Sequence, residues 1–312
     1  MRYTLRQLQY FVAAAEAGSI TLGSAKIAIS QASISAAITL LEREFGVQMF
    51  VRHHAQGLSL TAAGRRLLVE AKLLLSQADS LYAVASETTQ HVRGQLTVGC
   101  MITMAPMIMP ELAHSFMSQN PEARITQVEA GLASLLDALQ RAEIDIALTY
   151  DLQIPPPISF VPLARLPPYV MVSDGHRLAG EGAVSLGQLA HEPLILLDLP
   201  ISRDYFLGLF AKENLEPRIY YSSAQQDVVR TMVANGYGYT LANVRPRSDI
   251  ALDGRRLIRL RLKGKHRPMT VGTATLSTLR KPLLLTAFET HCRASISNRY
   301  IPGMDAPFQD ER

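Results

Sequence analysis

All 17 prolines lie at or beyond Pro106. Proline removes an amide donor and fixes φ, so a chain segment without it can run as near-continuous helix. The residues before Pro106 therefore read as mostly helical. Those after it alternate between strand-like and helix-like patterns. The shift falls near His91-Val92-Arg93-Gly94, where a glycine marks a domain junction. A length of 312 residues fits two domains at roughly 150 residues each. With 48% hydrophobic and 19% charged residues, the chain can bury a core and is not a disordered tail.

Lys and Arg number 31 against 27 Asp and Glu. So small an excess excludes a histone-like, wholly electrostatic DNA binder but leaves room for a local basic patch. That patch sits at the start, where residues 1–66 carry seven Lys/Arg and three Asp/Glu. Cys100 and Cys292 cannot build a disulfide framework. No uncharged apolar run approaches the ~18 residues of a membrane span. The first apolar stretch ends at Glu16 without a signal-peptide cleavage site after it. These features lead us to expect a cytoplasmic protein with no membrane partner.

Leu5, Leu8, Phe11, Val12 and Ala15 recur at helical spacing, predicting a helix over 4–17 that Gly18 ends. A short second helix is expected over 21–28 with Thr21 as its cap. A third opens at Ser30 or Gln31 and stops at Gly46. In it Ile34, Ile38, Leu41 and Phe45 share one face. Ala32, Ser35, Ala36, Thr39 and Arg43 occupy the other. Two helices joined by a tight turn, the second with a small polar outer face, suit a major groove about 12 Å wide. Phe50 to Leu60 reads as two short strands around Ala55-Gln56-Gly57, a wing on which Arg52, His53 and His54 can meet phosphate. Adjacent histidines make a poor metal pair, and no metal or cofactor is expected.

The run GSITLGSAKIAISQASISAAITLLEREFGVQMFVRHHAQGLSLTAAG resembles the winged helix-turn-helix of LysR-type transcriptional regulators. The resemblance rests on Gly18-Ser19, Ser30-Gln31, Ser35, Ile38, Leu41-Glu42, Gly46, Phe50, Arg52, Leu60-Thr61 and Ala63-Gly64. It implies an N-terminal winged helix-turn-helix with a long linker helix, then a two-lobed α/β effector domain like a periplasmic binding protein. Expected DNA-binding residues are Thr21, Ser30, Gln31, Ser33, Ser35, Thr39 and Arg52. The chain departs from the family at Gly23-Ser24, where two alanines are usual, and at Ala32, where proline is usual. Ala36-Ala37 stand where a long polar or basic residue often follows Ser35. With no arginine on the first half of the third helix, specificity is expected to lean on DNA shape more than on guanine contacts.

Thr61 looks like the N-cap of a long helix over about 62–90. Leu67, Ala71, Leu74, Ala78, Leu81 and Ala85 repeat along it at steps of four and three. Such a heptad seam joins two helices or packs one helix on its own domain. The resemblance implies the first, a dimer and often a tetramer on a pseudo-palindromic promoter site. Expected domains are 1–60 for DNA binding, 61–92 for the linker helix and 93–312 for effector binding. Lobe I takes about 93–163 and 269–297, and lobe II about 164–268.

Within 93–312, strands at 95–100, 124–130 and 144–150 alternate with helices at 106–119 and 132–142, a βαβαβ order that predicts a doubly wound parallel sheet. Strands near 158–163, 169–173, 193–198, 217–222, 238–243 and 269–275 follow, with helices at 202–214, 226–235 and 283–297. Ligands of such sheets sit beyond the carboxyl ends of strands, where helix N-termini offer free N–H groups. Two places qualify, Cys100-Met101-Ile102-Thr103 and Pro200-Ile201-Ser202-Arg203. Thr103, Ser202 and Arg203 form a candidate site for a small organic anion, with Gly131, Leu132, Asn243 and Arg245 as its rim. Plain helix capping is the other use of Thr103 and Ser202, and Asp198 or Asp204 the other partner for Arg203. Tyr205, Tyr221, Tyr237 and Tyr239 are read as packing rather than as an aromatic wall of this site. Cys100 and Cys292 are read as buried thiols, and the tail after Ile301 as mobile.

The sequence holds no GxSxG, HExxH, P-loop, Rossmann fingerprint or metal-spaced His/Cys cluster, so nothing in it asks for catalysis. The expectation is a ligand-responsive transcription factor, and the alternative a repressor or architectural DNA-binding protein indifferent to ligands.

Overall fold

A computed structural model describes residues 2–53, 57–87, 92–277 and 281–305. The chain forms two compact units that part at His91 and Val92.

In the first unit, α1 (Leu5–Ala17), α2 (Ile20–Lys26) and α3 (Gln31–Phe45) precede a hairpin of β1 (Phe50–His53) and β2 (Gly57–Leu60), then α4 (Ala62–Glu87). Thr4 starts α1 with a capping box shared with Gln7, and Gly18 ends it in the left-handed region at φ 59°. The cap of α2 is Ser19, whose side chain accepts from the Leu22 N–H, and not Thr21. Thr21 lies inside the helix, and its hydroxyl donates to Gln31 Oε1 at 3.2 Å. Gly23 explains one departure from the family pattern. A Cβ there would stand 3.0 Å from the Ala13 carbonyl oxygen and the Ala14 Cα, so its absence lets α2 approach α1. Leu8, Phe11, Ile34, Ile38, Leu41, Met49 and Phe50 form the buried core.

Three residues of the expected seam belong to this same core. Ala71 is buried in it, and Leu67 and Leu74 pack against it. The first turns of α4 thus help to close the helix-turn-helix, with Leu67 and Leu74 left half-buried. Ala78 is half-buried, and the side chains of Leu81 and Ala85 lie outside the described residues.

In the second unit, β3 (Gly94–Met101), α5 (Ala105–Gln119), β4 (Ala123–Ala130), α6 (Leu132–Gln140), β5 (Ile146–Tyr150) and β6 (Ile158–Leu166) build lobe I. Lobe II follows with β7 (Tyr169–Ser173), β8 (Ala183–Val184), α7 (Leu186–Leu189), β9 (Pro193–Leu197), α8 (Pro200–Ala211), β10 (Arg218–Ser223), α9 (Gln226–Ala234), β11 (Thr240–Ala242) and β12 (Leu257–Leu262). The chain then returns to lobe I as β13 (Met269–Leu276) and α10 (Leu283–Ser295).

The lobe I sheet runs β4-β3-β5-β13-β6. It is mixed rather than wholly parallel. β3 pairs in parallel with β4 and β5, while β13 inserts antiparallel between β5 and β6. β6 continues to Leu166, paired with Met269, so lobe I extends past residue 163. Lobe II carries a sheet of order β11-β7-β12-β8 and a parallel pair, β10-β9. Phe116 of α5 and Phe288 of α10 meet edge-on at 5.1 Å, locking the returning helix to lobe I.

The start of the tail is packed, against expectation. Ile301 and Met304 are buried. Met304 bridges to Pro246, and the Asp305 carboxylate pairs with Arg259 at 2.6 Å. Residues 306–312 lie outside the described residues.

Candidate functional site

The helix-turn-helix presents a small, polar face. α2 and α3 cross at 113°, within the range of DNA-reading helix pairs. Ser30 caps α3, accepting from the Ser33 N–H at 3.1 Å, and the two serine hydroxyls lie 2.8 Å apart. Gln31, Ala32, Ser33, Ala36 and Thr39 are exposed, and Ser35 is half-buried. The Thr39 hydroxyl donates back to the Ser35 carbonyl. Glu42 ties the next strand to this helix, its Oε1 accepting from the N–H groups of Met49 at 2.7 Å and Phe50 at 3.3 Å. Arg52 stands on β1 opposite Leu58. Its side chain and that of His53, with all of His54, lie outside the described residues.

Glu16 braces this unit from behind. Its carboxylate meets Lys26 of α2 at 2.7 Å and Lys72 of α4 at 3.1 Å. Burial pushes the Glu16 carboxyl up, but the two ammonium groups outweigh it and hold the carboxyl below its ordinary value.

In the second unit a cleft opens between the lobes. Lobe I supplies Thr103, Tyr150 and Met269. Lobe II supplies Ser202 and Phe206 of α8, Gln226 and Arg230 of α9, and Asn243 after β11, with apolar walls from Met171, Leu197 and Leu241. Neither Thr103 nor Ser202 caps its helix. α5 starts from Met104 and α8 from Leu199, each without a side-chain cap bond. α8 begins at Pro200, earlier than expected, so Ser202 lies in its first turn. The Thr103 hydroxyl instead shares a 3.0 Å hydrogen bond with Tyr150, whose own hydroxyl is pushed up by burial and stays neutral.

Of the seven expected effector residues, Thr103, Ser202 and Asn243 line this cleft, and the other four do not. Arg203 is held by Asp198 at 3.0 Å and Asp204 at 3.4 Å. Arg245 lies over the Tyr169 ring at 4.6 Å, and burial pushes its guanidinium down to about 10. Leu132 is buried at the start of α6, and Gly131 precedes it. The charge in the cleft comes from Arg230, which sequence reasoning missed. It is 5% exposed, and burial lowers its guanidinium. Its Nη2 donates to the Ser248 and Ile250 carbonyls at 2.9 and 3.4 Å. Among the described residues it pairs with no carboxylate. Its sequence signal is a cation directly beside Val229 on the apolar side of α9. Tyr150 had a signal too, since it ends a strand beside the one that leads to Thr103.

Of the tyrosines, Tyr239 is fully buried, Tyr221 and Tyr237 are exposed, and Tyr205 donates to the Arg267 carbonyl at 2.6 Å. None of the four lines the cleft. Cys100 and Cys292 are buried free thiols, and burial raises both well above the ordinary thiol range.

A winged helix-turn-helix followed by a two-lobed α/β unit with a cleft defines the ligand-binding class of bacterial DNA-binding regulators. A family described as LysR substrate binding domain matches residues 89–297, and one described as bacterial regulatory helix-turn-helix protein, lysR family, matches residues 5–65. The chain belongs to the LysR family. It is a DNA-binding transcriptional regulator with an effector-binding domain, and its family comprises regulators, not enzymes. It is 30% identical over 244 residues to the Hca operon transcriptional activator HcaR of Escherichia coli, covering 76% of this chain and 80% of that one. It is 28% identical over 241 residues to the transcriptional regulator CysB of Haemophilus influenzae, covering 75% and 73%. The crystal structure of HinK, a LysR family regulator from Pseudomonas aeruginosa, is 34% identical, with a TM-score of 0.65 over 95% of this chain and 99% of that one. No single helix is long and apolar enough to cross a membrane among the described residues.

Proposed function

We propose that this chain acts in the cytoplasm as a dimer or tetramer on a pseudo-palindromic promoter site, and that a small organic anion in the interlobe cleft changes how it binds or bends that DNA. Domain limits of 1–60, 61–92 and 93–312 fit this division of labour. Gln31, Ser33, Ser35 and Thr39 read or touch the groove. Ser30, Thr21 and Arg52 contact phosphate in this reading. Dimerisation rests on the α4 seam of Leu67, Ala71, Leu74, Ala78, Leu81 and Ala85, whose first three residues also pack within the unit. The observation that carries the ligand reading is the meeting of Thr103, Ser202 and Asn243 from both lobes in one cleft. Arg230 supplies the positive charge, in place of Arg203 and Arg245. A ligand touching both lobes stabilises their closure by its differential affinity for the closed state.

Thermal unfolding of the full-length protein against a panel of small organic acids tests this reading. A saturable rise in midpoint with one compound is expected, lost in Thr103→Ala and Ser202→Ala. No shift across the panel, with operator binding intact, would favour the ligand-indifferent alternative.

A further inference from the structure

The interlobe cleft contains an acceptor that the protein leaves unanswered. Asn243 is 3% exposed. Its Nδ2 donates to the Leu166 carbonyl at 2.7 Å and lies 3.5 Å from the Tyr205 hydroxyl. A carbonyl only accepts, so the Leu166 contact settles which end of the amide is nitrogen. Oδ1 is therefore the free end. It is buried, and among the described residues no group donates to it. Ser202 is 4% exposed and lines the same cleft, and among the described residues its hydroxyl has no hydrogen-bond partner either. Of the other polar groups, Thr103 is committed to Tyr150 and the Arg230 Nη2 to two carbonyls, while Gln226 also lines the cleft without donating to Asn243 Oδ1.

A plain acid offers this cleft only acceptors. It can satisfy the Ser202 hydroxyl and the field of Arg230, but it leaves Asn243 Oδ1 sealed without a donor. Sealing an acceptor from water without a partner is costly. We propose that the ligand is a small acid that also carries a hydroxyl or amino donor, and that this donor hydrogen-bonds Asn243 Oδ1. The apolar part of the ligand lies against Phe206, Leu241 and Met269. The proposal rests on the cleft being the effector site and adds the chemistry that the site selects.

The test uses the full-length protein and two matched series, titrated by calorimetry. One is 3-phenylpropanoate, 3-phenyllactate and phenylalanine. The other is benzoate with its 2-, 3- and 4-hydroxy derivatives. In at least one series a donor-bearing member is expected to bind roughly tenfold to a hundredfold tighter than its parent. That preference should vanish in Asn243→Leu and persist in Arg203→Ala, whose guanidinium is paired outside the cleft. If the parents bind as tightly as all their derivatives, or if the preference survives in a folded Asn243→Leu protein, the donor requirement is overturned and the cleft remains the effector site. If no member of either series binds, both readings fail.

Discussion

The hydroxyls of Thr103 and Tyr150 lie 3.0 Å apart although 47 positions separate them in the chain. Parallel pairing of β3 with β5 makes this possible, because it brings the carboxyl ends of both strands to one side of the sheet. Tyr150→Phe should therefore cost about 1 kcal/mol of stability, read as a fall of a few degrees in midpoint. It should also diminish any ligand-induced rise in midpoint. Tyr237→Phe, half exposed and outside the cleft, should change neither.

Arg203 and Arg230 should separate cleanly. Arg203 is paired with two aspartates outside the cleft. Arg203→Ala should move stability by no more than about 0.5 kcal/mol and leave ligand affinity within about twofold. Arg230→Met removes the donors to the Ser248 and Ile250 carbonyls. It should cost about 2 kcal/mol and weaken binding of every acid tested. Equal effects from the two substitutions would return the anion to Arg203.

Gly64 has no room for a side chain. A Cβ would fall 2.1 Å from the carbonyl oxygen of Met49, the residue that leads into β1. Gly64→Ala should destabilise the DNA-binding unit by about 2 kcal/mol or more, measured by chemical denaturation. Gly46→Ala, whose site is open but whose φ is 66°, should cost about 1 kcal/mol.

Ala36 is exposed on α3. Ala36→Glu should leave the unfolding midpoint unchanged while reducing operator affinity by roughly tenfold to a hundredfold, through repulsion from phosphate and loss of close approach. Saturation mutagenesis of the operator should show its main losses spread over flexible or A·T-rich steps. Dominance by two symmetric G·C pairs would refute shape-based readout.

Glu16 makes the first unit sensitive to acid. Its carboxyl is held below the ordinary value in the folded state. The stability it contributes is present above the unfolded carboxyl value of about 4.3, and is lost as pH falls through the lower folded value. The midpoint of this unit should drop below about pH 4.3, and Glu16→Gln should flatten that part of the profile.

Much of this architecture is legible in the residues. The apolar spacing of Ile34, Ile38 and Leu41 shows which face of α3 is buried, and strand-end logic finds Thr103 and Ser202. What local pattern cannot show is which partner wins. Arg203 looks available until Asp198 and Asp204 fold beside it, and nothing local says that Leu67 and Ala71 also pack on the core of their own unit. Pairing direction is hidden for the same reason, because nothing local in Met269–Leu276 says that it runs antiparallel between two strands. β12 escapes notice because its Leu-Ile-Arg-Leu-Arg-Leu is rich in arginine, yet it pairs with β7 and β8.

The return of β13 to lobe I sets an order of assembly during synthesis. Every strand of lobe II has left the ribosome once Leu262 emerges, while lobe I still lacks the strand that belongs between β5 and β6. At about 5–20 residues per second, completing that lobe takes a few seconds more. During that interval the buried strand Ile146–Tyr150 keeps one edge open, and an open apolar edge is what foreign strands pair with. The lobe encoded first is thus finished last, and stalled chains ending between β12 and β13 should be the ones that chaperones hold.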